Sequence, residues 1–246
     1  MPDPGPLAVK LMDIYQRFYT AYGPQYWWPG DSPFEVITGA ILTQSAAWTN
    51  VEMALTNMKS TGCWSLESVH LATQEELAML VRSSGYFNSK ARKLKAFAAH
   101  VMINYTGDLD LFLSKPPVLL REELLLIHGI GEETADDIMV YAAGQPSFVI
   151  DTYTRRIMDR MGITPDSSHP KYADYQTVFH TNIPQEIQLY NEFHALWDHH
   201  AKEACTKVNP RCADCCLLDI CPTGQQLKTS CPNKAEIMIP RLSETR

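Results

Sequence analysis

The sequence contains no uninterrupted apolar run of about 18 residues, the length that a membrane-spanning helix needs. Residues 1–5 also lack the basic and apolar regions of a secretory signal, so we expect a cytoplasmic protein that does not contact a membrane. Basic side chains are in the minority, because 21 Lys and Arg stand against 28 Asp and Glu, a net charge of −7. This balance argues against binding of nucleic acid by bulk charge, and any such contact must use a local basic patch.

Alternating apolar and polar stretches bounded by hairpin turns are absent too, so no strands are predicted. Helix start signals are frequent, and residues 32–35, 49–52 and 73–76 each place a serine or threonine three residues before a glutamate. Asn88 is a further N-cap candidate, for a helix that runs to about Asn104. Because 45% of the residues are hydrophobic, a real core can form, and we predict an all-α fold of about ten helices.

Two glycines interrupt a helical pattern at residues 124–135. Leu124 and Ile127 before them and Ile138 after them recur at helical spacing, so one helix stops and another begins at Gly129 and Gly131. A helix–hairpin–helix turn leaves backbone N–H groups free and attracts an anion such as a DNA phosphate. An ordinary loop with a glycine C-cap gives the same pattern, and the motif alone favours that plainer interpretation.

Residues 25–31 and residues 85–95 are two further candidates for binding. The first segment is an aromatic cluster that proline and glycine keep from being helical; its rings either stack on a base or plug the joint between two helices. The second is the densest basic run and includes Lys90. Such a run is usually a solvated helix face, but in an acidic protein it is also the best candidate for contact with a phosphate backbone.

Asp151 follows a chain break at residues 144–146 and precedes a helix that begins at Thr152. Aspartate is common at this position for purely structural reasons, because its side chain accepts from the free N–H groups of the first turn. Taken alone, Asp151 is therefore interpreted as an N-cap.

Five of the seven cysteines are crowded between residues 205 and 221, and this crowding indicates a metal site rather than a disulfide scaffold. The spacing Cys-x6-Cys-x2-Cys-x5-Cys offers four thiolates to one tetrahedral metal or one iron–sulfur cube. Zinc sites more often have two close pairs, so one close pair favours the iron–sulfur cluster, with Cys216 as a bystander. The four predicted ligands are Cys205, Cys212, Cys215 and Cys221. Lys207 and Arg211 lie in the loop between the first two and are candidates for DNA contact.

Together these motifs resemble the endonuclease III superfamily of helix-hairpin-helix DNA glycosylases. The resemblance rests on Leu-x-x-Ile-x-Gly-Ile-Gly-x-x-Thr-Ala at residues 124–135, on Asp151 within Val-Ile-Asp-Thr, and on the cysteine spacing, in that order. It spans roughly residues 7 to 221. It implies a [4Fe–4S] cluster on the four cysteines, a catalytic role for Asp151, and double-stranded DNA with a damaged base as the partner of a monomer.

The resemblance also implies two helical domains with the active-site cleft between them. We expect a six-helix, barrel-like domain at residues 31–146, with the helix-hairpin-helix at about 119–142. Residues 1–30 and 147–246 then form a discontinuous second domain that carries Asp151 and the C-terminal iron–sulfur cluster loop at 205–221.

Glu133 departs from the pattern of the bifunctional members, which carry a lysine two residues after the second hairpin glycine. A carboxylate cannot form the Schiff base with C1′ that leads to strand cleavage. We therefore expect a monofunctional glycosylase that leaves an abasic site. As a carboxylate, Asp151 would stabilise the oxocarbenium-like C1′ or orient the attacking water.

Within the superfamily, three segments look most like the bacterial 3-methyladenine glycosylases: residues 26–29, residues 42–44 with the tryptophan close behind, and residues 84–91. The implied base pocket consists of Trp27, Trp28, Pro29 and Trp48. An alkylated adenine is cationic and a good leaving group, so stacking on aromatic rings could suffice without a strong general acid. That branch can lack the cysteine cluster, which this chain keeps.

Further DNA contacts follow from the resemblance. Gln44 matches the residue that fills the gap left by a flipped nucleotide, and Lys202 stands three residues before the first cluster cysteine, where a basic residue is usual. The hairpin residues Gly129, Ile130 and Gly131 are expected to contact phosphate.

Three alternatives remain open at the level of sequence. One is a monofunctional glycosylase for mismatched or oxidised bases, such as thymine or uracil opposite guanine, or damaged pyrimidines. Another is a non-catalytic protein that binds damaged DNA, which the acidic net charge leaves open. The third is a zinc-stabilised helical module with no role in nucleic-acid binding.

Overall fold

The computed structural model describes residues 5–230 of the 246-residue chain. Within that range the chain is helical and contains no β-strand, so the predicted all-α fold is confirmed. The α-helices are α1 (Pro6–Tyr22), α2 (Pro33–Leu42), α3 (Trp48–Ser60), α4 (Leu66–Leu71), α5 (Gln74–Leu80), α6 (Phe87–Tyr105), α7 (Leu109–Leu113), α8 (Pro117–Leu126), α9 (Glu132–Asp137), α10 (Thr152–Arg160), α11 (Tyr172–Asn182), α12 (Ile187–Glu203) and α13 (Pro222–Ser230). No helix in the described part is long and apolar enough to cross a membrane.

Of the four N-caps predicted before the hairpin, two form and two do not. The Ser32 and Thr73 side chains accept from the third backbone N–H of α2 and α5. The signal at 49–52 is wrong, because α3 begins at Trp48 and the carbonyl of Ala47 accepts its first backbone bonds. Asn88 is also not a cap, since the left-handed Tyr86 (φ 44°) precedes α6 and accepts at its carbonyl the N–H groups of the first turn.

Buried side chains form two hydrophobic clusters. The first cluster is built from residues between Ile37 and Met139, on helices α2 to α9. The second is built from α1 and from residues between Val140 and Leu217. The π-helical continuation of α9, Ile138–Ala142, contributes to both clusters and joins them. The domain boundaries given above stay a prediction, and the parts of them that fall on residues 1–4 and 231–246 lie outside the described residues.

A buried carboxylate connects the hairpin helix α9 to the part of the chain that forms the second hydrophobic cluster. Asp136 is fully buried and accepts from the Arg121 Nε (2.8 Å) and Nη2 (3.0 Å), which lie on α8. Ser147 and Gln176 donate to the same carboxylate, at 2.6 and 2.9 Å. Because a buried charge without such partners costs several kcal/mol, this network fixes α8 and α9 against α11. The hairpin between α8 and α9 is therefore held at a set distance from the chain that leads to Asp151.

Candidate active site

A cleft of about 1170 Å³ is lined by residues from both parts of the molecule. Its walls come from the aromatic segment before α2, from the link between α2 and α3, from the hairpin, from the start of α10 and from one face of α12. The predicted site residues that line it are Trp27, Trp28, Pro29, Gln44, Trp48, Gly129, Gly131, Asp151 and Lys202. Residues far apart in sequence are thus brought to one concave surface, as a binding site requires.

The aromatic wall is centred on Trp28. Its ring meets Trp48 edge to face, with centroids 5.5 Å apart at 88°, and lies 5.3 Å from the ring of Tyr141. Gly39 of α2 makes room for it, because a Cβ at that position would lie 3.2 Å from the Trp28 Nε1. The ring centroid of Trp27 lies 5.9 Å from that of Trp28, and the two ring planes make an angle of 66°. The segment therefore seals the joint against α2 and also lines the cleft. Stacking of these rings on a base stays a prediction.

Asp151 caps α10 and lines the cleft. Its Oδ1 accepts from the Thr154 N–H at 2.6 Å, which fixes the side-chain orientation. Its Oδ2 lies 4.0 Å from the Nε2 of His194, and the carboxylate is 15% exposed. The structural and the catalytic interpretation are therefore compatible, because the cap uses one oxygen and the other faces the cleft.

Carboxylates crowd around Asp151. The cleft wall removes part of the water around the Glu133 carboxylate, and this desolvation, followed by the negative charge of Asp151, raises the pKa of Glu133 to about 7. Another part of the side chain remains exposed to solvent. Burial, and then Glu133 and Asp151, raise the pKa of Asp137 well above its usual range. Burial raises the pKa of Asp198, although Lys202 Nζ lies 2.6 Å from its Oδ2. The site is thus acidic, and a cation would relieve the repulsion among these groups.

The two glycines of the hairpin have different backbone conformations. Gly129 has φ +86°, a left-handed conformation that favours glycine, whereas Gly131 (φ −95°) is the N-cap of α9. Ile130 between them is 5% exposed and belongs to the first hydrophobic cluster. Its side chain anchors the turn and its N–H donates to the carbonyl of Ile127 at 3.1 Å, so Ile130 offers a ligand neither its side chain nor a free donor.

Gln44 is held against the hairpin. Its Nε2 donates to the carbonyl of Gly129 (3.1 Å) and to Thr134 Oγ1 (2.9 Å). Lys93 Nζ donates to Gln44 Oε1, and the Lys93 side chain lies directly over Gly129. Lys93 was not singled out from the sequence, although it lies in the basic run at 85–95. It is the lysine of that run that lines the cleft.

The prediction that Lys90 contacts DNA is wrong, because its side chain is buried. Its side chain is 1% exposed, and Nζ donates to the carbonyls of Leu42 (2.7 Å) and Ser84 (2.5 Å). Burial, and then the charge of Lys93, lower its pKa to about 8. Lys90 precedes the buried Leu94 by four residues and therefore lies on the core face of α6.

Replacement of Gly129 by alanine should destabilise the protein. The left-handed conformation costs an L-residue about 1–2 kcal/mol, and the new Cβ would overlap the Lys93 side chain. We expect a lower midpoint of thermal unfolding and weaker DNA binding, measured by calorimetry and fluorescence anisotropy. Gly131→Ala is the matched control, because its Cβ would meet nothing within 4 Å and its φ is not positive. Equal losses in the two variants would contradict this account of the turn.

The cleft also contains residues that the sequence did not mark. Tyr153 and Asp198 line it, and so does His194, whose Nδ1 lies 2.6 Å from the Tyr141 hydroxyl. Lys202 Nζ lies 5.6 Å from the Trp27 ring centroid and 5.9 Å from that of Tyr153. The available signal was the spacing of residues 194, 198 and 202, which places them on one face of α12.

The four predicted cluster ligands line a second, smaller pocket, at the end of α12. Three of the sulfurs have N–H donors nearby: Arg160 Nη1 lies 3.0 Å from Cys205, Leu217 N 3.4 Å from Cys215, and Gly224 N 3.3 Å from Cys221. Within residues 5–230, no three His, Cys, Asp or Glu side chains are arranged to hold a single metal ion. The four cysteines therefore share one pocket without forming a ready single-ion site.

Lys207 and Arg211 lie outside the cleft. Both are exposed, on the loop between the first two cysteines. Arg211 pairs with Glu203, with Nη2 3.2 Å from Oε2. Arg211 also donates to the carbonyl of Glu203, and a surface ion pair of this kind contributes little to stability.

Comparisons with known proteins agree with this arrangement. Residues 38–178 match the pattern of the HhH-GPD superfamily base excision DNA repair proteins. The chain is 36% identical over 212 residues to a putative DNA repair glycosylase of Methanocaldococcus jannaschii, which covers 86% of this chain and 95% of the relative. It superimposes on endonuclease III in a non-covalent DNA complex with a TM-score of 0.78 at 20% identity, over 90% of this chain and 98% of that one. It superimposes on the H. pylori 3-methyladenine DNA glycosylase bound to 1,N6-ethenoadenine with a TM-score of 0.69 at 25% identity, over 80% of this chain and 97% of that one.

Proposed function

The chain belongs to the HhH-GPD superfamily of base excision DNA repair proteins, and from this premise we propose that it is a monofunctional glycosylase for alkylated purines of the 3-methyladenine type. The comparisons support the general conclusion that the chain is a DNA glycosylase of base excision repair. The observation that most favours alkylated purines as the substrate is a cleft that combines an aromatic wall with several carboxyl groups around Asp151.

The substrate class follows from charge and stacking. A base alkylated at a ring nitrogen is a flat cation, and it gains from aromatic faces and from nearby negative charge. The rings of Trp27, Trp28 and Trp48 supply the first, and Asp151 supplies the second. A bound cation would also favour the ionised form of Glu133, whose pKa of about 7 lies close to neutral pH. Lys202 also reaches the Trp27 ring, but Asp198 at 2.6 Å offsets its charge. A neutral base would gain less from this surplus of carboxylates.

Asp151 is the proposed catalytic residue. A nucleotide flipped out of the duplex would place C1′ in the cleft, and positive charge develops there as the base departs. The Asp151 Oδ2, which is not used by the helix cap, is free to stabilise that charge or to accept a proton from the attacking water. Glu133, at the position of the family lysine, cannot form a Schiff base, so the product is an intact strand with an abasic site.

DNA contacts are proposed at the rim of the cleft. The backbone N–H groups of Gly129 and Gly131 are the proposed phosphate donors, because the N–H of Ile130 already donates to the carbonyl of Ile127; Gln44 stands beside them, held by the hairpin. Lys93 adds a positive charge at the same rim. Lys207 and Arg211, exposed on the cysteine loop, offer a second phosphate contact. A monomer suffices, because one chain provides all of these groups.

The four cysteines suit a [4Fe–4S] cluster, and their spacing, with one close pair, favours the cluster over a single zinc ion. They line one pocket, and N–H groups lie near three of the sulfurs. Cys205, Cys212, Cys215 and Cys221 would hold the cluster, which would supply a rigid, thiolate-bound anchor for the loop after α12. Arg160 would contribute by donating to Cys205 Sγ and to the carbonyl of Thr206, which orders that loop.

A panel of lesion duplexes tests the proposed substrate. We expect release of 3-methyladenine in preference to uracil or thymine opposite guanine and to oxidised pyrimidines, with strand breaks only after alkali treatment. Base release would be measured by chromatography and strand breaks on denaturing gels. Preferred release of a mismatched or oxidised base would replace the substrate class. Tight binding of every lesion without release would indicate a non-catalytic damage-binding protein.

Iron analysis tests the proposed cluster. Anaerobically purified protein should absorb near 400 nm and contain about four iron atoms per chain. Cys212→Ser should lose most of both signals, because it removes one of four thiolates. Cys63→Ser is the matched control, since Cys63 packs against the first hydrophobic cluster and does not line the cysteine pocket. Zinc in place of iron in the wild-type protein would contradict the proposal.

A further inference from the structure

His194 has one ring nitrogen with a partner and one without. Nδ1 lies 2.6 Å from the Tyr141 hydroxyl. Nε2 is buried and, within residues 5–230, has no hydrogen-bond partner. It lies 4.0 Å from Asp151 Oδ2, and the His194 side chain is 6% exposed. A buried polar atom without a partner is costly, so its position beside a carboxylate needs an explanation.

We propose that His194, held by Tyr141, is a positioning residue whose Nε2–H donates to Asp151 Oδ2 when substrate fills the cleft. The proposal rests on the function proposed above, in which Asp151 acts on C1′. The separation of 4.0 Å is longer than a hydrogen bond, and catalytic hydrogen bonds are often long before substrate binds. Asp151 would then be fixed at both oxygens, by the Thr154 N–H at Oδ1 and by His194 at Oδ2.

The tautomer of His194 follows from its two neighbours. A carboxylate can only accept, so the ring gains most when the hydrogen is on Nε2, which faces Asp151. Nδ1 is then an acceptor, and the Tyr141 hydroxyl donates to it. Burial raises the pKa of Tyr141 well above its usual range, so the phenol keeps its proton and stays a donor. The opposite tautomer would turn a lone pair toward the carboxylate.

His194 remains neutral near pH 7. Burial lowers its pKa, although the charges of Asp151 and Asp198 oppose this and Lys202 adds to it. Within residues 5–230, these groups, the Tyr141 hydroxyl and the ring of Trp27 lie around the imidazole. A neutral imidazole orients the carboxylate without neutralising it, which leaves the negative charge of Asp151 for the developing cation at C1′.

Four variants test the proposal. His194→Leu removes the donor, His194→Gln keeps an N–H near the position of Nε2, and Tyr141→Phe removes the group that sets the tautomer. We expect His194→Leu to slow single-turnover excision by about 10- to 100-fold, the range of one hydrogen bond to a charged group. His194→Gln should recover most of that loss, and Tyr141→Phe should fall between them. Tyr190→Phe is the control, because the buried Tyr190 hydroxyl has no partner within the described residues.

Two further measurements separate positioning from a merely structural role. His194→Leu should lower the single-turnover rate with unchanged affinity for lesion DNA, because a positioning residue acts on the reaction and not on binding. In an Asp151→Asn background, His194→Leu should cause no further loss of the residual rate. Unfolding midpoints of all variants, measured in parallel, identify any variant that fails to fold.

A spectroscopic arm does not depend on activity. In protein with ¹⁵N-labelled histidine, the nitrogen chemical shifts of His194 should report the Nε2–H tautomer, and Tyr141→Phe should shift it toward a mixture. The Nδ1–H tautomer in the wild-type protein would overturn the proposal. So would equal excision rates in the wild type and His194→Leu, or an undiminished effect of His194→Leu in the Asp151→Asn background. Full excision by Asp151→Asn alone would instead overturn the proposed role of Asp151.

Discussion

An Asp151→Asn variant is expected to fold normally and to lose base excision by about 10³-fold, which corresponds to about 4 kcal/mol of transition-state stabilisation. The fold should survive because asparagine caps helices as well as aspartate, and its Oδ1 can still accept from the Thr154 N–H. The charge at Oδ2, by contrast, is lost, and it is the charge that would stabilise C1′. Single-turnover release of 3-methyladenine, compared at equal enzyme saturation, measures the effect.

Asp159→Asn is the matched control for that experiment. Asp159 lies on the same helix, α10, and is exposed, and it accepts from the Tyr175 hydroxyl at 2.9 Å outside the cleft. The same change of carboxylate to amide should therefore leave excision within about twofold of the wild type. Excision retained by Asp151→Asn, with DNA binding unchanged, would show that another group carries out the reaction.

The sequence was sufficient for the fold class because local signals and the global pattern agree. Residue types such as Ser32 and Thr73 mark helix starts by a hydrogen bond within one turn, and the structure forms it. Asp151 was readable in the same way, as a cap. Its proposed catalytic role depends on the cleft, which assembles from segments more than 100 residues apart, such as those of Trp27 and Asp151.

The failures have a common physical cause. Lys90 belongs to a basic run that is typical of a solvated face, but the core side of α6 includes its position and two backbone carbonyls accept from it. His194 lies between Phe193 and Ala195, among buried residues of α12. Its spacing to Asp198 and Lys202 marks a shared helix face but does not identify Tyr141 and Asp151 as its neighbours. In both cases the partner is distant in sequence, and only packing reveals it.

Helix α12 connects the two chemical sites. His194, Asp198 and Lys202 follow at intervals of four residues and face the cleft. Its last turn leads into Cys205, and His200 lines the cysteine pocket. A cluster that immobilises the loop after Cys205 would therefore also fix the end of the helix that lines the cleft. The proposed cluster would then support one wall of the cleft.

Replacement of Glu133 by lysine is expected to create a covalent activity that the wild type lacks. The new amine would lie in the cleft beside Asp151, where a lysine in the related bifunctional enzymes attacks C1′. Borohydride should then trap the Glu133→Lys protein on DNA with an abasic site, and trapping should increase as the pH rises and the amine loses its proton. Glu132→Lys, one residue away, adds the same charge and is the control that should not be trapped. Trapping of the wild type, or strand breaks without alkali, would refute the monofunctional assignment. Failure of Glu133→Lys alone would mean that C1′ does not approach position 133.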